Sequence, residues 1–184
     1  MTIAVYCTAA TLDGYLADED DSLAWLFAVP DADQASAFES FLDTVGVLVM
    51  GSTTYRWVVE HDDLTAHPER WRDAYGDRPA YVFSSRALPE VPGADIRLVD
   101  GPVADRWADI VAAAGDRDVW IVGGGDLAGQ FADAGRLDRI IVTVAPATLG
   151  SGRPLLPRRF GSDRLAIESV SMDGPFAQLS LSVR

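Results

Sequence analysis

The chain contains no lysine, since its fifteen basic residues are all arginine. Without a lysine amine it cannot form the Schiff base on which one class of carbonyl chemistry depends. It also has a single cysteine, Cys7, so no disulfide can form within the chain, and we expect a cytoplasmic protein. Cys7 lies among apolar residues near the start of the chain, which indicates a buried thiol with a packing role and not a nucleophile.

Long apolar segments and metal-binding patterns are missing as well. No apolar run reaches the ~18 residues of a membrane-spanning helix, and residues 1–6 lack the basic start and cleavage site of a signal peptide. A single cysteine also excludes the C-x-x-C pattern of the zinc deaminases. His61, Asp62, Asp63 and His67 match no common zinc spacing, so we expect no metal site.

Acidic residues dominate the charge of the chain, whose formal net charge is −13 at pH 7. Such a field repels nucleic acid and anionic membranes, and we expect neither as a partner. It would also repel a phosphorylated cofactor unless arginines or helix N-termini act locally at the site. The 184 residues contain no internal repeat, low-complexity tract or linker, so we expect one domain over residues 1–184.

Apolar periodicity predicts strands that alternate with helices. Predicted strands cover residues 2–9, 15–17, 46–51, 81–83, 96–99, 119–122, 140–144, 164–172 and 176–183. Predicted helices run from Pro30–Asp31 to Val45 and over residues 53–60, 103–114 and 127–134, with a short helix within 61–78. This order predicts an α/β fold with a mostly parallel central sheet, flanking helices and an antiparallel C-terminal hairpin.

Residues 118–157 are the most informative segment. An apolar run at 119–122 leads into Gly123, Gly124 and Gly125, and an amphipathic stretch follows before the next apolar run at 140–144. A helix that begins after a glycine turn presents free N–H groups and a partial positive charge. Three residues without Cβ let a phosphate approach that backbone closely. The segment therefore predicts a site for a phosphorylated cofactor, with Asp126 as the helix N-cap.

Two other interpretations of the glycines are open. Gly123-x-Gly125-x-x-Ala128 fits the loose Rossmann pattern, but that pattern normally opens the first strand–helix unit of a fold. The strand that follows should also end in an acidic residue, whereas this one ends in Ala145-Pro146. The glycines could equally form a flexible loop without a ligand.

Several blocks together resemble a known family. They are residues 11–17 (TLDGYLA), 47–55 (VLVMGSTTY), 119–125 (VWIVGGG), 134–138 (AGRLD) and 145–155 (APATLGSGRPL). In this order and spacing they resemble the dihydrofolate-reductase-like superfamily, in particular its branch with the reductase domain of the bifunctional riboflavin-pathway deaminase-reductase. The resemblance spans nearly the whole chain and implies NADPH as cofactor, a small heterocycle as substrate and a homodimer.

The resemblance also implies which residues bind NADPH: Gly51, Ser52, Thr53, Thr54, Ser84, Arg86, Gly123, Gly124, Gly125, Asp126 and Leu127. Members of the branch commonly have an arginine at the position of Ser52, so its absence leaves the preference for NADP over NAD open. Arg86 could take over the contact with a 2′-phosphate, or residues 84–86 could form an exposed turn. The hydroxyl groups of residues 52–54 could instead serve only as a helix N-cap.

On the substrate side the resemblance implies that Asp13 faces the substrate. Reduction of a C=N or C=O bond needs a proton beside the hydride, and a carboxyl group whose pKa is raised by burial can supply or relay it. Asp13-Gly14 could also be only a turn, with Thr11 in that turn or on the same face. The other predicted substrate residues are Trp25, Gly150 and Arg153, with Phe27 beside Trp25; Arg153 could instead lie in a hairpin loop.

We therefore expect an NADPH-dependent reductase of a small heterocycle, similar to 5-amino-6-(5-phosphoribosylamino)uracil reductase. Two alternatives are kept. Dihydrofolate reduction would need a carboxylate on the first long helix, where the chain offers Asp31, Asp33, Glu39 and Asp43. A nucleotide-binding protein without turnover would bind the cofactor and reduce nothing.

Overall fold

The computed structural model describes residues 2–184. The strands are β1 (Ala4–Thr11), β2 (Tyr15–Ala17), β3 (Val45–Gly51), β4 (Ala80–Phe83), β5 (Ile96–Val99), β6 (Asp118–Gly123), β7 (Arg139–Ala145), β8 (Arg153–Pro154), β9 (Leu165–Asp173) and β10 (Phe176–Val183). The helices are α1 (Ala24–Phe27), α2 (Ala37–Thr44), α3 (Ser52–His61), α4 (Glu69–Tyr75), α5 (Val103–Ala114) and α6 (Gly125–Asp133). A 3₁₀ turn covers Ala32–Gln34.

The main sheet has eight strands in the order β5-β4-β3-β6-β1-β7-β10-β9. The strands from β5 to β7 pair in parallel, and β10 and β9 add an antiparallel edge. A second, two-stranded sheet pairs β2 with β8. The predicted fold class, a mostly parallel sheet with an antiparallel C-terminal hairpin, is confirmed.

Each face of the sheet is covered, which explains why the central strands are continuous apolar runs. Along β3, Val47 and Val49 pack with α5 and α6 residues, whereas Leu48 and Met50 pack against α3 and α4 on the opposite face. Gly46 lets α5 approach the strand, because a Cβ at that position would collide with the backbone carbonyl of Ala114. The parallel strands are thereby fixed between two helical layers, with their carboxyl ends together at one edge.

The first long helix is the element that the sequence predicted least well. The regular helix starts at Ala37, seven residues after Pro30, and Val45 is the first residue of β3. The carboxylate of Asp173, at the end of β9, accepts hydrogen bonds from the backbone N–H groups of Ser36 (2.9 Å) and Ala37 (3.3 Å). The helix start is thus set by a residue distant in sequence, which local patterns do not reveal. The short elements α1 and β8 were also missed.

Cys7 has the packing role that its apolar neighbours predict. It is 7% exposed within β1, and burial raises the pKa of its thiol to about 12. The thiol is therefore protonated at neutral pH and is a poor nucleophile. Over residues 2–184, no helix combines the length and the apolar character needed to cross a membrane.

Candidate active site

A cavity of about 1060 Å³ opens at the carboxyl ends of the parallel strands. Its lining includes the last residues of three neighbouring strands: Gly51 of β3, Phe83 of β4 and Gly123 of β6. Ligands of open α/β sheets bind at this edge, and this volume is at the upper end of the ~300–1,000 Å³ of ligand pockets. The cavity has room for a cofactor together with a second ligand.

Two helix N-termini meet in this cavity. Because β3 and β6 are neighbours with Met50 opposite Gly123, α3 and α6 start side by side. A Cβ placed on Gly51 would lie 3.8 Å from both the carbonyl oxygen of Gly123 and the amide nitrogen of Gly124. Each helix N-terminus carries about half a positive charge, so the pair presents backbone N–H groups and positive potential that suit an anionic ligand.

Neither helix is capped by a side chain in the described structure. The N-caps are Gly51 for α3 and Gly124 for α6, and neither helix has a side-chain cap hydrogen bond. The prediction that Asp126 caps α6 is wrong: Asp126 lies inside the first turn, accepts a hydrogen bond from Gln130 (2.9 Å) and pairs with Arg158 (3.0 Å). The alternative in which the hydroxyls of residues 52–54 serve only as an N-cap is wrong as well. The first-turn N–H groups of both helices therefore face the cavity without a side-chain acceptor.

The three consecutive glycines differ in whether the fold requires glycine at their position. Gly123 has a φ of +155°, which side chains disfavour, and a Cβ there would lie 3.3 Å from Oγ1 of Thr54. A Cβ on Gly125 would collide with the backbone carbonyl oxygens of Pro154 and Leu155. A Cβ on Gly124 would meet no atom within 4 Å, so the fold itself does not require glycine there. Gly124 is the position at which a missing side chain leaves room for a ligand.

The predicted adenosine end is polar and exposed. Ser84 and Ser85, which follow β4, line the cavity, whereas Arg86 does not. The Ser84 hydroxyl donates to the carbonyl oxygen of Arg86 (2.8 Å) and accepts from its backbone N–H (3.1 Å), which closes a tight turn. Within residues 2–184 the guanidinium of Arg86 has no ion-pair partner, and Arg86 directly follows the lining residue Ser85.

Asp13 does not line the cavity, and neither does Thr11. The Thr11 hydroxyl donates to Asp13 Oδ1 (2.6 Å), and the backbone N–H groups of Gly150 (2.7 Å) and Leu149 (3.1 Å) donate to Oδ2. The bond from Thr11 and those from the backbone lower the pKa of Asp13, which is exposed, so the expected burial and raised pKa are wrong. The predicted turn at Gly14 is present, since its N–H donates to the carbonyl of Thr11 (2.9 Å). Asp13 thus fixes the loop that leads from β7 to β8.

Arg153 lines the cavity from β8, where it pairs with Ala17 of β2, and not from a hairpin loop. Its Nε lies 2.5 Å from Asp21 Oδ1, and its Nη2 donates to the carbonyl of Glu19 (3.2 Å). The bond to Asp21 raises the pKa of Arg153. The guanidinium is therefore already paired with a carboxylate of its own chain.

Several aromatic side chains also line the cavity. Trp25 lines it and donates from Nε1 to the carbonyl of Leu16 (3.1 Å). Phe27 also lines it and stacks on Trp57 and His61, with ring centroids 6.2 and 4.9 Å away. His61 is thus part of a ring stack, and it lies apart from His67, which pairs with Glu69 (3.3 Å).

The sequence matches the RibD C-terminal domain over residues 4–176. The chain belongs to this family. A crystal structure of a putative riboflavin biosynthesis protein from Shewanella sp. PV-4 is 27% identical, covers 99% of both chains and superposes with a TM-score of 0.78. The family and this neighbour indicate a reductase of the riboflavin-biosynthesis type.

More distant structures share the fold. A diaminohydroxyphosphoribosylaminopyrimidine deaminase/5-amino-6-(5-phosphoribosylamino)uracil reductase from Thermotoga maritima is 15% identical, with a TM-score of 0.68 over 100% of this chain and 57% of its own. A dihydrofolate reductase from Enterococcus faecalis in complex with NADP(H) is 14% identical, with a TM-score of 0.62 over 99% of this chain and 96% of its own. The RibD-type chain therefore has the dihydrofolate-reductase-like fold, and the Rossmann interpretation of its glycines is wrong.

Two cavity residues of this RibD-type domain were not found from the sequence. Thr143 of β7 and Gln178 of β10 lie opposite each other in the sheet and both line the cavity. The hydroxyl of Thr143 within an apolar strand was the one sequence signal for this residue. That Gln178 lies beside it depends on strand register, which the sequence does not show. Further aromatic residues line the same part of the cavity and were predicted only as core residues or not at all: Phe38, Phe41, Trp120 and Phe176.

Proposed function

We propose that this RibD-type domain is an NADPH-dependent reductase of a small heterocycle. The observation that carries the proposal is the pair of uncapped helix N-termini at the carboxyl ends of β3 and β6, inside a cavity with room for two ligands. The empty space over Gly124 suits a closely approaching phosphate group. The Enterococcus faecalis structure, which holds NADP(H) on the same fold, supports this choice of cofactor.

In this proposal the backbone of residues 51–54 and of Gly123–Gly125 binds the pyrophosphate of NADPH, with Asp126 and Leu127 in the first turn of α6. Ser84 borders the adenosine, and Arg86 supplies the positive charge for a 2′-phosphate. A bound NADPH supplies a hydride for a C=N or C=O bond of the substrate. Asp13 is too exposed and too acidic to hold a proton at neutral pH, so we place it as a positioning residue for the loop at Leu149–Gly150 and assign the proton to water.

The dihydrofolate reductase alternative lacks its carboxylate. None of the four acidic residues considered for that role, Asp31, Asp33, Glu39 and Asp43, is among the residues that line the cavity. One assay compares the candidate substrates. The loss of NADPH absorbance is followed with 5-amino-6-(5-phosphoribosylamino)uracil, with its dephosphorylated form and with dihydrofolate. Preference for dihydrofolate would exclude the riboflavin-type assignment.

Binding is tested before turnover. We expect NADPH to quench tryptophan fluorescence and to show energy transfer to the reduced nicotinamide, because Trp25, Trp57 and Trp120 line the cavity. NADH serves as the comparison that reports on the 2′-phosphate. Binding of NADPH without oxidation by any heterocycle would favour the non-catalytic alternative, and the absence of binding by both cofactors would contradict the reductase proposal.

We further propose a homodimer through the edge strand β9. Ile167, Val170 and Met172 pair with Leu181, Leu179 and Ala177 of β10, so the three side chains share one face of the sheet. They are 64%, 64% and 71% exposed, which makes an apolar stripe on an open edge strand. Light scattering on the wild type and on Ile167→Glu tests this: a wild-type dimer that the substitution converts to a monomer is expected, and a monomeric wild type contradicts it.

A further inference from the structure

The half of the cavity away from the glycines has its own chemistry. β1, β7 and β10 lie on one side of β6, whereas β3 and β4 lie on the other, so the cofactor elements and these strands line different halves. We call the half away from the glycines the substrate half; its residues are Thr8, Ala9, Trp25, Phe38, Phe41, Thr143, Phe176 and Gln178. Its character decides what is reduced if the proposed function is correct.

Among residues 2–184, no unpaired cation lines the cavity. Of the residues that the structure describes, Arg153 is the one basic side chain that lines the cavity, and its guanidinium is paired with Asp21 through two contacts (2.5 and 3.2 Å). Asp173 also lines the cavity, and its carboxylate occupies the N-terminus of α2. A phosphate group placed in the substrate half would therefore find no unpaired positive charge in the described lining, which is unfavourable for a dianion.

A polar pair on the floor of this half has no partner in the described structure. Strand register puts Ala9, Thr143 and Gln178 side by side on β1, β7 and β10, and all three line the cavity. The Thr143 hydroxyl and the Gln178 amide make no hydrogen bond within residues 2–184. A primary amide offers a donor and an acceptor in one plane, which matches the N–H and C=O of a cyclic amide.

The walls around this pair favour a flat ring. Phe38 and Phe41 each pack on Trp120, with centroid distances of 5.2 and 5.7 Å, and Phe176 and Trp25 close the other side. Aromatic surfaces contribute apolar contact and stacking to a planar ligand. A pocket with apolar walls and few polar groups fixes the orientation of its ligand through those groups.

We propose that the substrate is an unphosphorylated, flat heterocycle with a cyclic amide edge, oriented by Gln178 and Thr143 between these aromatic side chains. This deepens the proposed function and rests on it. It separates this chain from the Thermotoga maritima enzyme, whose reductase substrate carries a phosphoribosyl group. In this proposal the phosphates of the cofactor bind at the helix N-termini, whereas a phosphate on the substrate is disfavoured in the substrate half.

The test uses two ligands that differ only in one phosphate: 5-amino-6-ribosylaminouracil and its 5′-phosphate. Binding of each to the purified full chain is measured by quenching of tryptophan fluorescence, with and without NADP⁺. We expect the unphosphorylated ligand to bind at least about tenfold more tightly. Equal or tighter binding of the phosphorylated ligand overturns the inference, and so does failure of both ligands to bind.

Substitutions of Gln178 test whether its side-chain amide binds the substrate. Gln178→Leu is expected to weaken binding of the unphosphorylated ligand about fivefold, the size of one net hydrogen bond, and to leave the NADPH affinity unchanged. Gln178→Arg is expected to improve binding of the 5′-phosphate. Gln34→Leu, the same change at an exposed glutamine that is not among the residues lining the cavity, is the control. If Gln178→Leu binds the ligand as tightly as the wild type does, Gln178 has no part in substrate binding. If the wild type does not bind NADPH, the proposed function is contradicted, but the comparison of the two ligands stays valid.

Discussion

Replacing Gly124 and Gly125 by alanine, one at a time, separates a ligand-related glycine from a structural one. At Gly124 the new Cβ enters open space, and the backbone conformation (φ −82°, ψ −179°) is one that alanine adopts, so we expect stability within about 0.5 kcal/mol of the wild type. If a phosphate lies against this backbone, the same Cβ overpacks the ligand. A cost of about 1–3 kcal/mol then raises the Kd for NADPH about 5- to 150-fold.

Gly125→Ala, in contrast to Gly124→Ala, should lower the stability of the protein. Its Cβ would meet two backbone carbonyl oxygens, those of Pro154 and Leu155, and backbone cannot move aside as a flexible side chain does. We expect a loss of about 1–3 kcal/mol in unfolding free energy and a Tm lower by about 2–12 °C. Calorimetry and a fluorescence titration with NADPH measure both quantities in both variants. Wild-type affinity in Gly124→Ala would refute the assignment of the glycine turn to the cofactor.

Three further predictions concern other positions. Asp13→Asn should lower turnover without changing the Kd for NADPH. Because the folded-state pKa of Asp13 is lowered, the stabilisation of the loop by its carboxylate should be complete at neutral pH. It should be lost only as the pH falls below the ordinary Asp pKa of ~3.9 and through the folded-state pKa. Gly46→Ala should cost about 1–3 kcal/mol in urea unfolding through overlap with Ala114, and an unchanged midpoint would contradict the close packing. Arg86→Ala should weaken NADPH and leave NADH binding unaltered; equal effects on both would remove Arg86 from 2′-phosphate recognition.

The elements that form the proposed cofactor site could be predicted because their signals are local. The apolar run of β3 followed by Gly51, and that of β6 followed by the glycines, each predict a buried strand that leads into a helix. The parallel order of β3 and β6 then brings the two helix starts together. The fold class and the neighbouring helix starts could therefore be predicted from local sequence.

The substrate half depends on contacts between distant residues. Asp173 sets the start of α2 from 137 positions away, and Asp21 pairs with Arg153 from 132 positions away. Asp13 shows the same limit, because its turn was predictable but its exposure depends on the loop at Gly150. A sequence pattern identifies residue types, whereas the partner that neutralises a charge is known only once the chain is folded.

The distribution of ion pairs reconciles the proposed dinucleotide cofactor with a net charge of −13. At the cofactor half, Asp126 pairs with Arg158 (3.0 Å) and Asp100 with Arg106 (3.5 Å), so the carboxylates that line this half are compensated by arginines outside the lining. Acidic residues farther away than about 8 Å are screened at physiological ionic strength, so they oppose an anion in the cavity only weakly, whereas the N-termini of α3 and α6 attract it. The one arginine of the described lining, Arg153, is paired with Asp21. Under the proposed function, the acidic chain thus binds phosphate at the two helix N-termini and disfavours it in the substrate half, where no unpaired cation of the described lining is available.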